Sequence, residues 1–226
     1  MLKSIESLLV SGKKALSGII LAAALTFSGG VQQGCCNTEY HISRVARERA
    51  ESSIKEGSNY LALFDGLVGC ELKYESHNLE VEGYVSAINA NNPKDHMELI
   101  RQAHAQGRKI DLVGFSMGGS HVFDIAKECE KEGIPIRSVH TIDYAEKKHV
   151  PRNIRYIFQY KGTVPYLARC LWVYSEKDLS NPNTKLSRTI ILEGAGHMEC
   201  PSQARDIITQ ALRDPESTYQ NYKYRN

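Results

Sequence analysis

A serine between two glycines is the residue whose setting points most directly to chemistry. Ser116 stands midway between Gly114 and Gly118 in a G-x-S-x-G pattern, after the apolar run 110–113 and before apolar residues at helical spacing. This order predicts a strand, a sharp turn and a helix, with the hydroxyl held out above the sheet. The glycines remove side chains that would collide at such a turn. A nucleophile is therefore favoured over the alternative, a Gly/Ser turn that only joins two elements.

A histidine far downstream has the setting of a general base. His197 follows the predicted strand 189–192 on a loop that contains two glycines. Such a loop can bring the imidazole onto Ser116, where it takes the hydroxyl proton and later returns it to a leaving group. The competing interpretation is a loop histidine that is bonded to the backbone.

Two carboxylates compete to orient that histidine. Asp143 comes at the end of the predicted strand 136–142, and Asp178 lies in the turn after the predicted strand 171–174. Both satisfy the chain order serine, acid, histidine. Asp143 is preferred because groups beyond the carboxyl ends of parallel strands gather at one edge, beside the serine. The other carboxylate is then expected to cap a loop.

The elements that must position these groups alternate along the chain. Predicted helices cover 37–56, 94–106, the segment after Ser116, and 201–212. Predicted strands cover 59–64, 110–113, 136–142, 171–174 and 189–192, with two less regular stretches at 71–74 and 83–88. Strands that alternate with crossover helices predict an α/β domain with a mostly parallel sheet flanked by helices.

The first 36 residues differ from the rest of the chain. A lysine-bearing start, the apolar stretch 19–27 and small residues after it predict a secretory signal peptide or leader over 1–36. An amphipathic N-terminal helix and a lipid anchor at Cys35 are the alternatives. The expected location is outside the cell or in the envelope, with peripheral membrane association through that anchor. The domain then covers 37–213, and 214–226 is expected to be a mobile polar tail.

Length and composition narrow the function classes. A chain of 226 residues suffices for one domain, and a net charge of +2 gives no reason to expect nucleic acid as a partner. The six cysteines could form disulfides, but their spacing does not define a pairing. The sequence contains no C-x-x-C pair, so a structural zinc site is not expected. His96 and His104 have no ligand-type neighbours and are expected at the surface. We expect neither a metal nor a cofactor.

At residues 113–119 and 193–197 the chain resembles the α/β-hydrolase superfamily, in particular its lipase, esterase and thioesterase-like branches. The resemblance implies a serine hydrolase that cleaves carboxylic ester or thioester bonds of a small acyl ester or lipid. Ser116, Asp143 and His197 would form the triad and an acyl-enzyme intermediate. The Met117 N–H at the start of the helix is the first oxyanion donor, and the loop after the strand 59–64 would add that of Leu67.

The resemblance leaves several alternatives open. The segment around Asp143 is similar to lipases whose acid follows the strand after the nucleophile helix, whereas Asp178 resembles the acid-bearing turn of other members. Acyl transfer would use the same triad as hydrolysis. A non-catalytic envelope protein that binds a lipid or a protein partner is the alternative from another class. The aromatic-rich segment 144–166 is expected to be core or to wall an acyl pocket.

Overall fold

One sheet of six parallel strands positions Ser116, Asp143 and His197, each of which follows the end of a strand. The strands are β1 (Tyr60–Phe64), β2 (Ile88–Asn89), β3 (Ile110–Phe115), β4 (Ile136–Ile142), β5 (Ile154–Gly162) and β6 (Lys185–Leu192). The helices are α1 (Arg44–Glu56), α2 (Pro93–Ala105), α3 (Gly118–Lys131), α4 (Cys200–Arg213) and α5 (Pro215–Lys223). The prediction of an α/β domain with a parallel sheet flanked by helices is confirmed.

The computed structural model describes residues 42, 44–64, 83–84, 88–89, 93–116, 118–144, 148–163 and 173–223. These residues belong to one compact unit, Tyr40–Asn226. The predicted leader 1–36 and the irregular stretch 71–74 lie outside the described residues. In the part of the chain that is described, no helix is both long and apolar enough to span a bilayer.

Alternate residues of each strand build two separate layers of core. On one face Tyr60, Ala62 and Leu112 pack with apolar residues of α1, α2 and α3. On the other face Leu61 and Val113 pack with α4 and α5. Both faces are covered, so every residue of β1 and of β3 is buried, as is usual for strands of a parallel sheet.

The strand order reverses direction between β1 and β3, next to Ser116. The strands lie in the order β2-β1-β3-β4-β5-β6, so the chain moves to one side of β1 and then continues on the other. At such a reversal the loops after the two strands diverge and leave a crevice at their carboxyl ends, where ligands of open α/β sheets bind. Phe64, the last residue of β1, pairs with Gly114, two residues before Ser116.

Two segments differ from their prediction. The segment rich in aromatic residues contains β5, a strand of nine residues that the sequence analysis did not predict. Of the predicted strand 171–174, the described residues Val173 and Tyr174 are not in a strand. The sequence did not predict β5 because its central residues are buried on both faces of the sheet and do not alternate between apolar and polar.

The C-terminal prediction of a mobile polar tail is wrong for most of its length. Residues Pro215–Lys223 form α5, which buries Thr218 and Tyr219. The Tyr219 ring meets the ring of Tyr156 edge to face, with centroids 6.3 Å apart. Only part of this helix surface is apolar, so a polar composition concealed a docked helix.

Candidate active site

A tight turn at Ser116 joins β3 to α3. Ser116 has a φ of 52°, in the left-handed region that non-glycine residues rarely adopt. Its N–H donates to the Ile142 carbonyl of the neighbouring β4 at 2.8 Å, which anchors the turn to the sheet. A Cβ on Gly114 would lie 2.5 Å from the Gly118 carbonyl oxygen. The turn therefore needs glycine at 114, for the steric reason inferred from the motif.

A further glycine lets the loop after β4 approach α3. A Cβ on Gly119 would overlap the ring of Tyr144, the residue after Asp143. The loop that carries Asp143 thus packs directly against the first turn of α3. Sequence reasoning did not use Gly119, although the Gly118-Gly119 pair was the signal that could have found it.

Asp143 is the second strained residue of the site. It follows β4 directly, has a φ of 44°, and is 3% exposed. Its N–H donates to the Tyr160 carbonyl at 2.9 Å, and its Oδ1 accepts the Gly162 N–H at 2.9 Å. Among the described residues, Ser116 and Asp143 are the non-glycine residues with positive φ, and they follow adjacent strands. Strain of this kind concentrates at functional sites.

His197 meets the carboxylate of Asp143. Its Nδ1 lies 3.0 Å from Asp143 Oδ2, and its side chain is 16% exposed. The imidazole also packs on Phe115, the residue before Ser116, with ring centroids 4.7 Å apart. Its contacts with Asp143 and Phe115 place His197 at the same edge of the sheet as Ser116.

The route of the histidine loop explains why β5 ends in glycine. His197 follows β6, whereas Asp143 follows β4, so the loop must cross the end of β5 that lies between them. A Cβ on Gly162 would lie 2.6 Å from the Ala195 carbonyl oxygen and 2.7 Å from Cys200 Sγ. The absence of a side chain at Gly162 therefore lets this loop cross.

The charges of the site define the tautomer of the histidine. Burial alone would raise the pKa of Asp143, but hydrogen bonds from His197, Gly162 and Cys200 hold it below its usual value. An ionised carboxylate only accepts hydrogen bonds, so His197 Nδ1 carries the hydrogen and Nε2 keeps a lone pair. That lone pair belongs to the nitrogen that a general base would use.

The other predicted site residues are Ser116, the alternative acid Asp178 and the two oxyanion donors. The hydrogen bond of the His197 side chain among the described residues is to Asp143, and none joins it to Ser116. Asp178 accepts from Ser175 N and Oγ, both at 2.9 Å, and so caps its own turn. The proposed oxyanion donors Met117 and Leu67 lie outside the described residues.

Two histidines have structural surroundings. His96 is not at the surface, as the sequence analysis expected, but buried, and its Nδ1 lies 2.7 Å from Tyr60 Oη. His104 is exposed, as expected. His140 lies in β4, where its ring nitrogens contact Ser138 and Tyr160, each at 3.0 Å. In the described part of the chain, no group of three or more acidic, histidine or cysteine side chains could hold a metal ion.

Comparison with solved structures finds thioesterases and a lipase. The thioesterase domain that cyclises the lipopeptide antibiotic surfactin is 14% identical over 70% of this chain and 93% of that domain, with a TM-score of 0.48. The type II thioesterase of the borrelidin cluster is 12% identical over 72% and 92%, with a TM-score of 0.45. A Paleococcus ferrophilus monoacylglycerol lipase is 14% identical over 69% and 95%, with a TM-score of 0.42. The sequence itself matches no protein-family model and no curated protein.

Proposed function

We propose that this protein is a serine hydrolase that cleaves carboxylic ester or thioester bonds of an acyl substrate. The observation that carries the proposal is the 3.0 Å contact between His197 Nδ1 and Asp143 Oδ2 beside the strained Ser116. A histidine oriented by a buried carboxylate, next to a serine on a sharp turn, is the arrangement that activates a hydroxyl for attack.

In the proposed first half-reaction, Ser116 Oγ attacks the acyl carbon. His197 Nε2 takes the hydroxyl proton as the new C–O bond forms, and the same proton then goes to the departing alcohol or thiol. Asp143 stays ionised and stabilises the imidazolium. Water attacks the acyl-enzyme in the second half, with His197 again as the base, and releases the acid and the free serine. The N–H groups of Met117 and Leu67 are the proposed oxyanion donors.

Labelling with a fluorophosphonate probe tests the nucleophile. We expect the wild type and the control Ser120→Ala, which alters a serine in the first turn of α3, to react with the probe and to cleave a short-chain nitrophenyl ester. Ser116→Ala should do neither. A nitrophenyl ester and a thioester with the same acyl group then separate the two bond types. If Ser116→Ala is labelled like the wild type, the assignment of Ser116 as nucleophile is wrong. If the wild type is neither labelled nor able to cleave the ester, the non-catalytic scaffold replaces the proposed hydrolase.

We also propose that residues 1–36 direct the protein out of the cytoplasm. The basic start, the apolar stretch and the small residues after it support this assignment. Expression of the full chain followed by mass determination of the mature N-terminus tests it. A secreted or envelope form that begins after the leader is expected, and an intact N-terminus on cytoplasmic protein would refute the assignment.

A further inference from the structure

Three donors surround the carboxylate of Asp143, and one of them has no part in the proposed mechanism. Gly162 N–H serves Oδ1, whereas His197 Nδ1 and Cys200 Sγ both face Oδ2. Cys200 is the first residue of α4 and is fully buried. Its sulfur lies 3.2 Å from Asp143 Oδ2 and 3.2 Å from the Gly196 carbonyl oxygen.

The single thiol hydrogen goes to Asp143. Burial, and after it the charge of Asp143, raises the pKa of the Cys200 thiol far above its usual value, so the group stays protonated. It faces two acceptors, and the ionised carboxylate is the stronger one. If the hydrogen pointed at Gly196 instead, a sulfur lone pair would face the carboxylate, which is repulsive. The S–H to Oδ2 hydrogen bond is therefore the favoured arrangement.

The surrounding backbone is built around this sulfur. A side chain at Gly162 would place its Cβ 2.7 Å from Cys200 Sγ, so the glycine leaves the space that the thiol occupies. The same glycine provides the N–H that binds Oδ1. Gly162 thus both binds the Asp143 carboxylate and leaves the space that the Cys200 thiol occupies.

We propose that Cys200 is a positioning residue of the active site, whose thiol holds Asp143 Oδ2 toward His197 and limits how strongly the carboxylate attracts a proton on the ring. The carboxylate shares its charge between two donors at Oδ2. If the thiol donor is removed, Oδ2 interacts more strongly with the protonated His197, so the pKa of His197 should rise. The inference rests on the proposed function only for its kinetic readout.

The charged surroundings of this group are few. In the described part of the chain, His197, from the loop after β6, acts on Asp143, and Glu199, in the same short turn, acts on Cys200. Tyr160 approaches from β5 through its backbone carbonyl. A change of pKa at His197 on truncation of Cys200 would therefore report the thiol contact.

The test compares three variants by NMR titration of the His197 ring and by the pH profile of kcat/KM for ester cleavage. Cys200→Ala removes the donor, and Cys200→Ser replaces it by a hydroxyl. Cys129→Ala is the matched control, because Cys129 is a second buried free thiol, which contacts Met97.

In Cys200→Ala we expect the pKa of His197, and with it the acidic limb of the profile, to rise by roughly 0.5 to 1 unit. Cys200→Ser should lie at or below the wild-type value, and Cys129→Ala should match the wild type. The inference is overturned if Cys200→Ala leaves the His197 pKa unchanged, or if Cys200→Ser raises it. Should Cys200→Ala fail to fold, Cys200→Ser decides alone. A shifted pKa without ester cleavage in any variant would uphold this inference and refute the proposed function.

Discussion

Replacement of Asp143 by asparagine tests the orientation of the histidine with almost no change in shape. The Asp143 side chain is 3% exposed, and both of its carboxylate oxygens accept hydrogen bonds. An asparagine amide, which has the same size, must therefore occupy the same space between the same hydrogen-bond partners. The Gly162 N–H is fixed in the backbone and needs the amide oxygen as its acceptor, whereas the Cys200 thiol can turn to the Gly196 carbonyl. The amide NH2 group must therefore take the place of Oδ2 and face His197 Nδ1.

That orientation reverses the tautomer of the ring. With an NH2 donor in front of it, Nδ1 must accept, so Nε2 carries the hydrogen and cannot take the proton of Ser116. Loss of the correct tautomer costs about 10⁴-fold in kcat in a serine protease, which corresponds to about 5 to 6 kcal/mol of barrier. We expect a loss of similar size for Asp143→Asn.

The assay is steady-state cleavage of a nitrophenyl ester, with the thermal midpoint measured alongside. Asp178→Asn is the matched control, because its carboxylate caps Ser175 and does not meet His197. That variant should keep activity within about twofold, as expected for a change outside the triad. A loss below tenfold in Asp143→Asn, with the fold intact, would refute the role given to this carboxylate. A large loss in Asp178→Asn would point to the other acid.

Three further predictions, tested with four substitutions, concern the scaffold. Gly114→Ala forces a Cβ against backbone and should cost roughly 1–3 kcal/mol of stability, whereas Gly107→Ala meets open space at a φ of 67° and should cost about 1 kcal/mol, both measured by urea unfolding. Burial lowers the pKa of His140 to about 3, so as the pH falls the unfolded chain binds a proton at this histidine before the folded chain does. Stability should therefore fall as the pH drops from about 6.5 toward 3, and His140→Gln should remove that part of the pH dependence. A hydrogen bond from Lys185 lowers the pKa of Glu216 to about 2, so the stability it adds is present above about pH 4.3 and lost as the pH falls through 2; Glu216→Gln should flatten this acid limb of a thermal melt series.

Local patterns were enough to predict the nucleophile turn and the order of elements around it. The glycines about Ser116 and the apolar run of β3 act over a few residues, so the backbone constraint is visible in the sequence. The edge rule for parallel strands, together with chain order, pointed to Asp143 before its neighbours were known. Its contact with His197 depends on the same rule, since both residues follow strands of one sheet.

Features that depend on distant neighbours were not visible. β5 lacks the polar alternation that marks a half-buried strand, and α5 has a polar composition because only one side of it is covered. The roles of Gly162 and Cys200 arise where the loop after β6 crosses the end of β5, a meeting that no local pattern encodes. His96 was placed at the surface because its buried partner, Tyr60, lies in another element.

The path of the loop over Gly162 also sets when the site can form during synthesis. Ser116 and Asp143 leave the ribosome well before His197, and the imidazole reaches them only after β6 has paired with β5 and closed that edge of the sheet. Contacts between residues so distant in the chain are among the slow steps of folding. Nascent chains that end before β6 would therefore lack the proposed activity even with the serine turn in place, and the onset of ester cleavage would time the pairing of β6 with β5.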